Sequence, residues 1–388
     1  MDEPPLDEAT GGRLERVAPR ARRLLAARAV GLEAASSHES TGSSGLPGAR
    51  DVAAIAAQLR RARPPAGSPR EVGDPVADAL AGELVARAAR VMEALGRGAT
   101  DDQITARDAL ALESVLRVRG RPALRIEGDT IEPIDDTKHP GSGMWRRYLD
   151  DFEDNVLFAA AATGAVVVSD PYSAPPEPWV QGSAWLVRED LVVTNRHVLF
   201  PPLGGMRLAR RLLQPTAARL KSDLSVTIDF AFDSGAARNG RYAVEGVEFV
   251  AEERDPVDVA ILKVRRIGDL RPLPLSLAPG DFDQDYLYVM GHPGRMENVP
   301  DDVRAVFGDP DERKRASFGE LMNADPRWPG ELTYDASTIG GFSGGCVLGF
   351  HAREVIGLHY YGDPLNGNRA VSAVTLAAHP AGALMRGH

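Results

Sequence analysis

Three short motifs carry the residue types needed to activate a weak nucleophile: Thr194-Asn195-Arg196-His197-Val198, Asp258-Val259-Ala260-Ile261-Leu262 and Gly340-Gly341-Phe342-Ser343-Gly344-Gly345. A serine hydroxyl attacks a carbonyl poorly at neutral pH unless an imidazole takes its proton. The imidazole in turn needs a carboxylate to fix its tautomer and balance the charge it acquires. His197, Asp258 and Ser343 supply these groups in the chain order His, Asp, Ser, the order of a triad mounted on paired β-barrels. The glycines around Ser343 leave room for backbone N–H groups to face an oxyanion. Each motif alone is weak, since one of eight histidines, a turn aspartate or a glycine-serine loop has ordinary structural uses. Three in order, each in a suitable local setting, point to acyl-transfer chemistry.

The elements that must hold these residues are short and β-rich. His197 follows the apolar run Leu191–Thr194, and Asp258 leads into another that ends at Val264. A carboxylate entering a buried strand is costly unless something neutralises it, and an imidazole N–H would do so. Period-two runs bounded by turn residues predict strands at Ala165–Ser169, Ser183–Val187, Leu191–Thr194, Leu224–Phe230, Val244–Val250 and Val257–Val264. A second set follows at Tyr286–Gly291, Leu332–Tyr334, Cys346–His351, Val355–Tyr361 and Arg369–Val374. The expectation is an all-β double barrel, the first about 160–265 and the second about 273–380. Its cleft would take His197 and Asp258 from one barrel and Ser343 from the other.

The preceding chain reads differently. Val17–Ala34, Asp51–Ala62, Asp78–Leu95 and Asp102–Leu116 are rich in Ala, Leu and Arg at three- and four-residue apolar spacing, which predicts helices. This gives a small α-helical N-terminal module over 1–127, a linker at 128–152 and the double-barrel domain over 153–388, with a short helix around Trp145–Ala160. The segment Met296–Asp325 is long and charged, and reads as either a cover over the cleft or a surface insertion.

Composition narrows the function classes. Cys346 is the single cysteine, so no internal disulfide staples the fold. The acidic start Met1-Asp2-Glu3-Pro4-Pro5 lacks a signal pattern, and the longest apolar run, Val156–Val168, is 13 residues, too short for a membrane span. A cytoplasmic protein away from membranes is the expectation. Residues 1–150 carry 22 Lys/Arg against 23 Asp/Glu, whereas 151–388 carry 23 against 32. That acidity argues against nucleic acid as a partner. Neither a metal nor an organic cofactor is expected.

With these residues in view, 160–388 resembles the trypsin-like (chymotrypsin-fold) serine peptidases, in particular the bacterial branch with the glutamyl endopeptidases. The likeness is carried by Thr194–Val198, Asp258–Leu262, Gly291-His292-Pro293-Gly294, Tyr334–Gly345 and Glu354–His359. It implies a serine endopeptidase acting on protein or peptide substrates, with His197, Asp258 and Ser343 as triad. The N–H groups of Gly341 and Ser343 would form the oxyanion hole. Thr338 and His359 would line the pocket for the residue before the scissile bond, with His359 supplying positive charge and Thr338 a hydroxyl donor to a Glu or Asp. Tyr360 and Tyr361 would wall the neighbouring subsite beside Gly362. Bacterial relatives of this layout suggest a defence or signalling system, with the helical module as regulator or partner dock.

Three departures stand out. Phe342 replaces the aspartate that digestive peptidases use to capture a new N-terminal ammonium, so that activation route is closed. About 150 residues precede the fold, so no mature N-terminal amine is expected at the start of the barrels to help bind glutamate unless the chain is processed. The disulfides of the digestive enzymes are missing. Two other readings compete. One is a peptidase-fold scaffold without turnover, against which the full triad speaks. The other is an esterase or acyltransferase, but an α/β-hydrolase would show Gly-x-Ser-x-Gly and the order Ser, Asp, His.

Overall fold

β-Branched and aromatic runs cut by glycine, proline and aspartate favour strands over helices, and strands dominate this computed structural model. The structure describes residues 52, 55, 56, 74–97 and 121–386, without 136–138, 140–141, 173–177, 202–205, 234–239, 266–269, 278–285, 295–305, 308–310, 323–327 and 364–366. Helix α1 (Asp74–Gly96) covers the predicted Asp78–Leu95. Its Ala81, Val85 and Ala88 form a small cluster with Ile55 and Ala56, from the predicted Asp51–Ala62. The predicted helices Val17–Ala34 and Asp102–Leu116 lie outside the described residues.

Two short strands, β1 (Ala123–Glu127) and β2 (Thr130–Ile131), come next, where the sequence suggests the end of the helical module and a linker. Helix α2 (Gly143–Ala162) follows, with apolar residues on one stripe and an alanine-rich final turn. It anchors through Trp145, which is sealed against the rings of Tyr286, Phe318 and Phe350 at 5.5, 5.6 and 6.0 Å between centroids. It ends where Thr163 turns extended, its hydroxyl donating to the Ala159 carbonyl at 2.8 Å.

The first barrel uses β3 (Thr163–Ser169), β4 (Trp179–Arg188), β5 (Leu191–Thr194), β8 (Ser225–Asp229), β9 (Arg241–Val250) and β10 (Ala260–Val264), closed in the order β10-β5-β4-β3-β8-β9. The four-residue helix α3 (Arg196–Leu199) and the ribbon β6 (Ala209–Arg211) and β7 (Ala218–Leu220) join β5 to β8. Alternation puts Val166, Val168, Ala184, Leu186, Val192 and Leu262 on one face, in the core.

The second barrel closes through β11 (Tyr286–Gly291), β14 (Cys346–Gly349), β15 (Val355–Asp363), β16 (Gly367–Ser372), β13 (Glu331–Tyr334) and β12 (Arg315–Met322), since β12 also pairs with β11. Along its other edge β12 is shared: Arg315, Ala316 and Ser317 pair with β1, and Leu321 and Met322 with β13. Strand β16 stops at Ser372, short of the predicted Val374. The Ser372 hydroxyl accepts from the Thr375 N–H and so caps helix α4 (Ala373–Ala378), which α5 (Gly382–Arg386) follows.

Strand β12 corrects the reading of Met296–Asp325 as a cover or plain insertion. Its charged flank is interior rather than solvated. Lys314 is fully buried and donates to the carbonyls of Ala160 and Phe230, both at 2.7 Å, while Arg315 bonds Asp311 at 2.9 Å. Buried cations hold their place only when hydrogen-bonded in this way.

Candidate active site

The register of the first barrel brings histidine and carboxylate together. Ala260 of β10 pairs with Thr194 of β5, so the residues just beyond that rung, Asp258 and the turn into α3, share one rim. Asn195 fastens the turn by donating Nδ2–H to the Asp258 carbonyl at 2.8 Å. His197 Nδ1 meets Asp258 Oδ2 at 2.6 Å, and the His197 backbone N–H reaches Oδ1 at 3.1 Å. Burial pushes the Asp258 carboxyl up, but the His197 hydrogen bond and charge, with Arg196 beside it, hold it below the usual carboxylate value. It stays ionised, which makes His197 Nδ1 the proton-bearing nitrogen and leaves Nε2 as a base.

Ser343 sits in the turn between β13 and β14. Gly341 (φ 98°) and Gly344 (φ 90°) take left-handed conformations that other residues rarely adopt. Gly344 has no room either, because a Cβ there would run into the Ser183 carbonyl. The Gly340 carbonyl accepts from the Gly294 N–H at 2.5 Å. Across a planar trans peptide C=O and N–H point oppositely, so the Gly341 N–H is turned away from Gly294. Neither it nor the Ser343 N–H donates to any group among the described residues. These are the two donors assigned to an oxyanion hole.

Ser183 of β4 ties this loop to the first barrel, a role the sequence motifs do not disclose. Its N–H donates to the Ser343 carbonyl at 2.7 Å and its hydroxyl to the Gly341 carbonyl at 2.8 Å. The same hydroxyl accepts from the His292 N–H at 2.9 Å, and the Ser183 carbonyl accepts from Thr194 Oγ1 at 2.7 Å. A Cβ on the neighbouring Gly182 would touch both the Ser343 carbonyl and Val198, so the nucleophile loop and the His197 turn meet there. No hydrogen bond joins Ser343 Oγ to His197 in the free chain; such contacts commonly close when substrate binds.

Phe342, in the place of the missing aspartate, is fully buried. Its ring packs with Phe307 at 5.9 Å and His359 at 6.5 Å, inside a cluster with Val289 and Ile356. Apolar packing thus anchors the residue before Ser343.

His359 of β15 lies behind the loop, its carbonyl accepting from Gly344 and its N–H bonding the Gly345 carbonyl. Tyr334 and His359 Nδ1 are 2.6 Å apart. Tyr334 is buried and its hydroxyl has no other partner among the described residues; donation to Nδ1 satisfies its proton, and the His359 proton then sits on Nε2. Burial, with a lesser push from the His197 charge, lowers the His359 pKa to about 3. Burial therefore works against the positive charge expected of His359 and favours the neutral ring near neutral pH.

Thr338 is also spoken for, donating Oγ1–H to Asn368 Oδ1 at 2.6 Å. Gly362 lies beside both oxygens. Tyr361 is partly exposed, and the Tyr360 hydroxyl donates to Glu331, which also pairs with Arg369. The strand is irregular between His359 and Tyr361, so it is this contact that gives Tyr360 a packing role. Among the described residues no group of His, Cys, Asp and Glu is arranged to hold a metal, and no helix is long and apolar enough to cross a membrane.

No curated protein matches the chain. Residues 182–358, from the glycine beside the nucleophile loop to the residue before His359, match the family model of the trypsin-like peptidase domain.

Proposed function

We propose that the protein is a serine endopeptidase that cleaves peptide bonds through an acyl-enzyme. The observation that carries this is the ionised Asp258 on His197 Nδ1, set across Gly182 from a serine loop with two unpartnered N–H groups. His197 Nε2 takes the Ser343 proton as Oγ attacks the carbonyl. The Gly341 and Ser343 N–H groups receive the oxyanion, and His197 then protonates the leaving amine. Water repeats the sequence to release the acid. The pocket beside Thr338, His359 and Gly362 takes a polar side chain before the scissile bond. The Glu or Asp preference implied by resemblance would rest on one neutral donor, His359 Nε2–H, and not on a cation.

The helical stretch is proposed as a regulatory or partner-docking unit, compatible with a bacterial defence role; its separate small cluster around Val85 supports that independence. A fluorophosphonate should label the full-length protein at Ser343, and Ser343→Ala should abolish both labelling and peptide cleavage while leaving the circular dichroism spectrum unchanged. Labelling of another residue, or wild-type turnover in the variant, overturns the assignment.

A further inference from the structure

Hydrogen-bond direction around Gly362 fixes the donor and acceptor character of the atoms there. The Asn368 amide nitrogen donates to the Ala336 carbonyl, which fixes the amide and turns Oδ1 toward Thr338. Thr338 must then spend its only proton on that oxygen, so what it offers outward is lone pairs. A Cβ at Gly362 would stand 3.0 Å from Thr338 Oγ1 and 3.1 Å from Asn368 Oδ1. The glycine therefore leaves open a space bordered by two acceptor oxygens. On the same strand His359 carries its proton on Nε2, because Tyr334 donates to Nδ1. Among the described residues Nε2 bonds no protein group, and it is not sealed from solvent.

One donor and two acceptors form the complement of a carboxamide. Its carbonyl accepts from His359 Nε2–H, and its NH2 donates to Thr338 Oγ1 and Asn368 Oδ1. A carboxylate has only acceptor oxygens. It would gain the single bond from His359 and face two oxygens with its second atom, giving up water with no cation to repay the loss. Resting on the serine-peptidase reading above, we propose that the specificity pocket selects substrates with a neutral carboxamide, glutamine or its shorter homologue asparagine, before the scissile bond.

The test uses full-length protein and tetrapeptide diphenyl phosphonates identical except for a carboxamide or carboxylate in the first side chain, at both chain lengths. The rate of Ser343 labelling is read directly. The better carboxamide should react at least ~10-fold faster than its acid, since a site built for hydrogen bonds discriminates against a partner that leaves them unmet. Tyr334→Phe, which frees the His359 tautomer, and Thr338→Val, which removes one acceptor, should each shrink that ratio several-fold. Equal or faster labelling by the acids overturns the proposal, as does failure of all four while a small fluorophosphonate still labels Ser343. Failure of the fluorophosphonate itself sinks the serine-peptidase reading instead.

Discussion

At the scale of single residues, Ser183 does more to shape the site than its place in an unremarked strand suggests. Its hydroxyl holds the Gly341 carbonyl and its N–H the Ser343 carbonyl, so it sets the tilt of the 341–342 and 343–344 peptides, which flank the one that carries the Ser343 N–H. Ser183→Ala keeps the N–H and loses the hydroxyl bond, worth on the order of 1–3 kcal/mol at a buried position. With the oxyanion donors less well aimed, kcat per titrated active site should fall ~10–100-fold while KM changes little. A variant that merely lost folded material would show fewer titratable sites at wild-type kcat, and that result would refute the positioning role. His197, Asp258 and Ser343 can be proposed from the sequence because the chemistry of a triad constrains residue type. Ser183, Tyr334 and Asn368 cannot, because any hydrogen-bonding residue reads alike until strand register shows what it meets. The charge state of His359 is not legible there for a related reason. Burial, which works against the charge, is a property of the fold.

Among the elements, the turn between β13 and β14 is held from both sides. Gly294 and Ser183 grip its carbonyls, and Phe342 roots it in the second barrel. Phe342→Asp would place a carboxylate in that apolar cluster with no ammonium to meet it. Phe342→Leu keeps the packing. The aspartate variant should be destabilised by ~3–5 kcal/mol, from lost ring packing and an unpaired buried charge, and the leucine variant by under ~1.5 kcal/mol. Urea unfolding checks this, and equal midpoints for the two would contradict an apolar anchor. Most strands showed in the sequence, since alternation or short valine-rich runs mark them. Strand β12 was hidden by Arg313-Lys314-Arg315, whose charges look solvated until Ala160, Phe230 and Asp311 are seen to receive them. Strand β1 was hidden by the helical texture ahead of it and by its five-residue length.

For the whole molecule, burying neutral histidine links stability to pH. His359 has its folded pKa lowered to about 3, and His292 is lowered in the same direction by burial and by Lys314 and Arg315 nearby. Above the ordinary histidine value of ~6.5 both folded and unfolded states are neutral and nothing is lost. As pH falls below it, the unfolded chain takes up a proton that the native state refuses, and stability declines until about 3 for His359. At pH 5 this single residue should have removed ~2 kcal/mol relative to pH 7.5. Denaturation of the wild type and His359→Gln at both pH values measures it. The wild type should lose ~2 kcal/mol more than the variant on acidification, and parallel losses would show that His359 is protonated in the fold.

The sharing of β12 between β13 and β1 bears on solubility. Strand β1 covers the backbone N–H and C=O groups of Arg315, Ala316 and Ser317 that β13 leaves unpaired. Arg121 clamps the same end, through Asp335 at 2.9 Å and Glu320 at 3.2 Å. Shortening the chain to residue 128 would strip off both and leave a raw sheet edge, the kind of surface that recruits strands from neighbouring molecules. The barrels so isolated would tend to stick to one another, whatever became of their catalytic power.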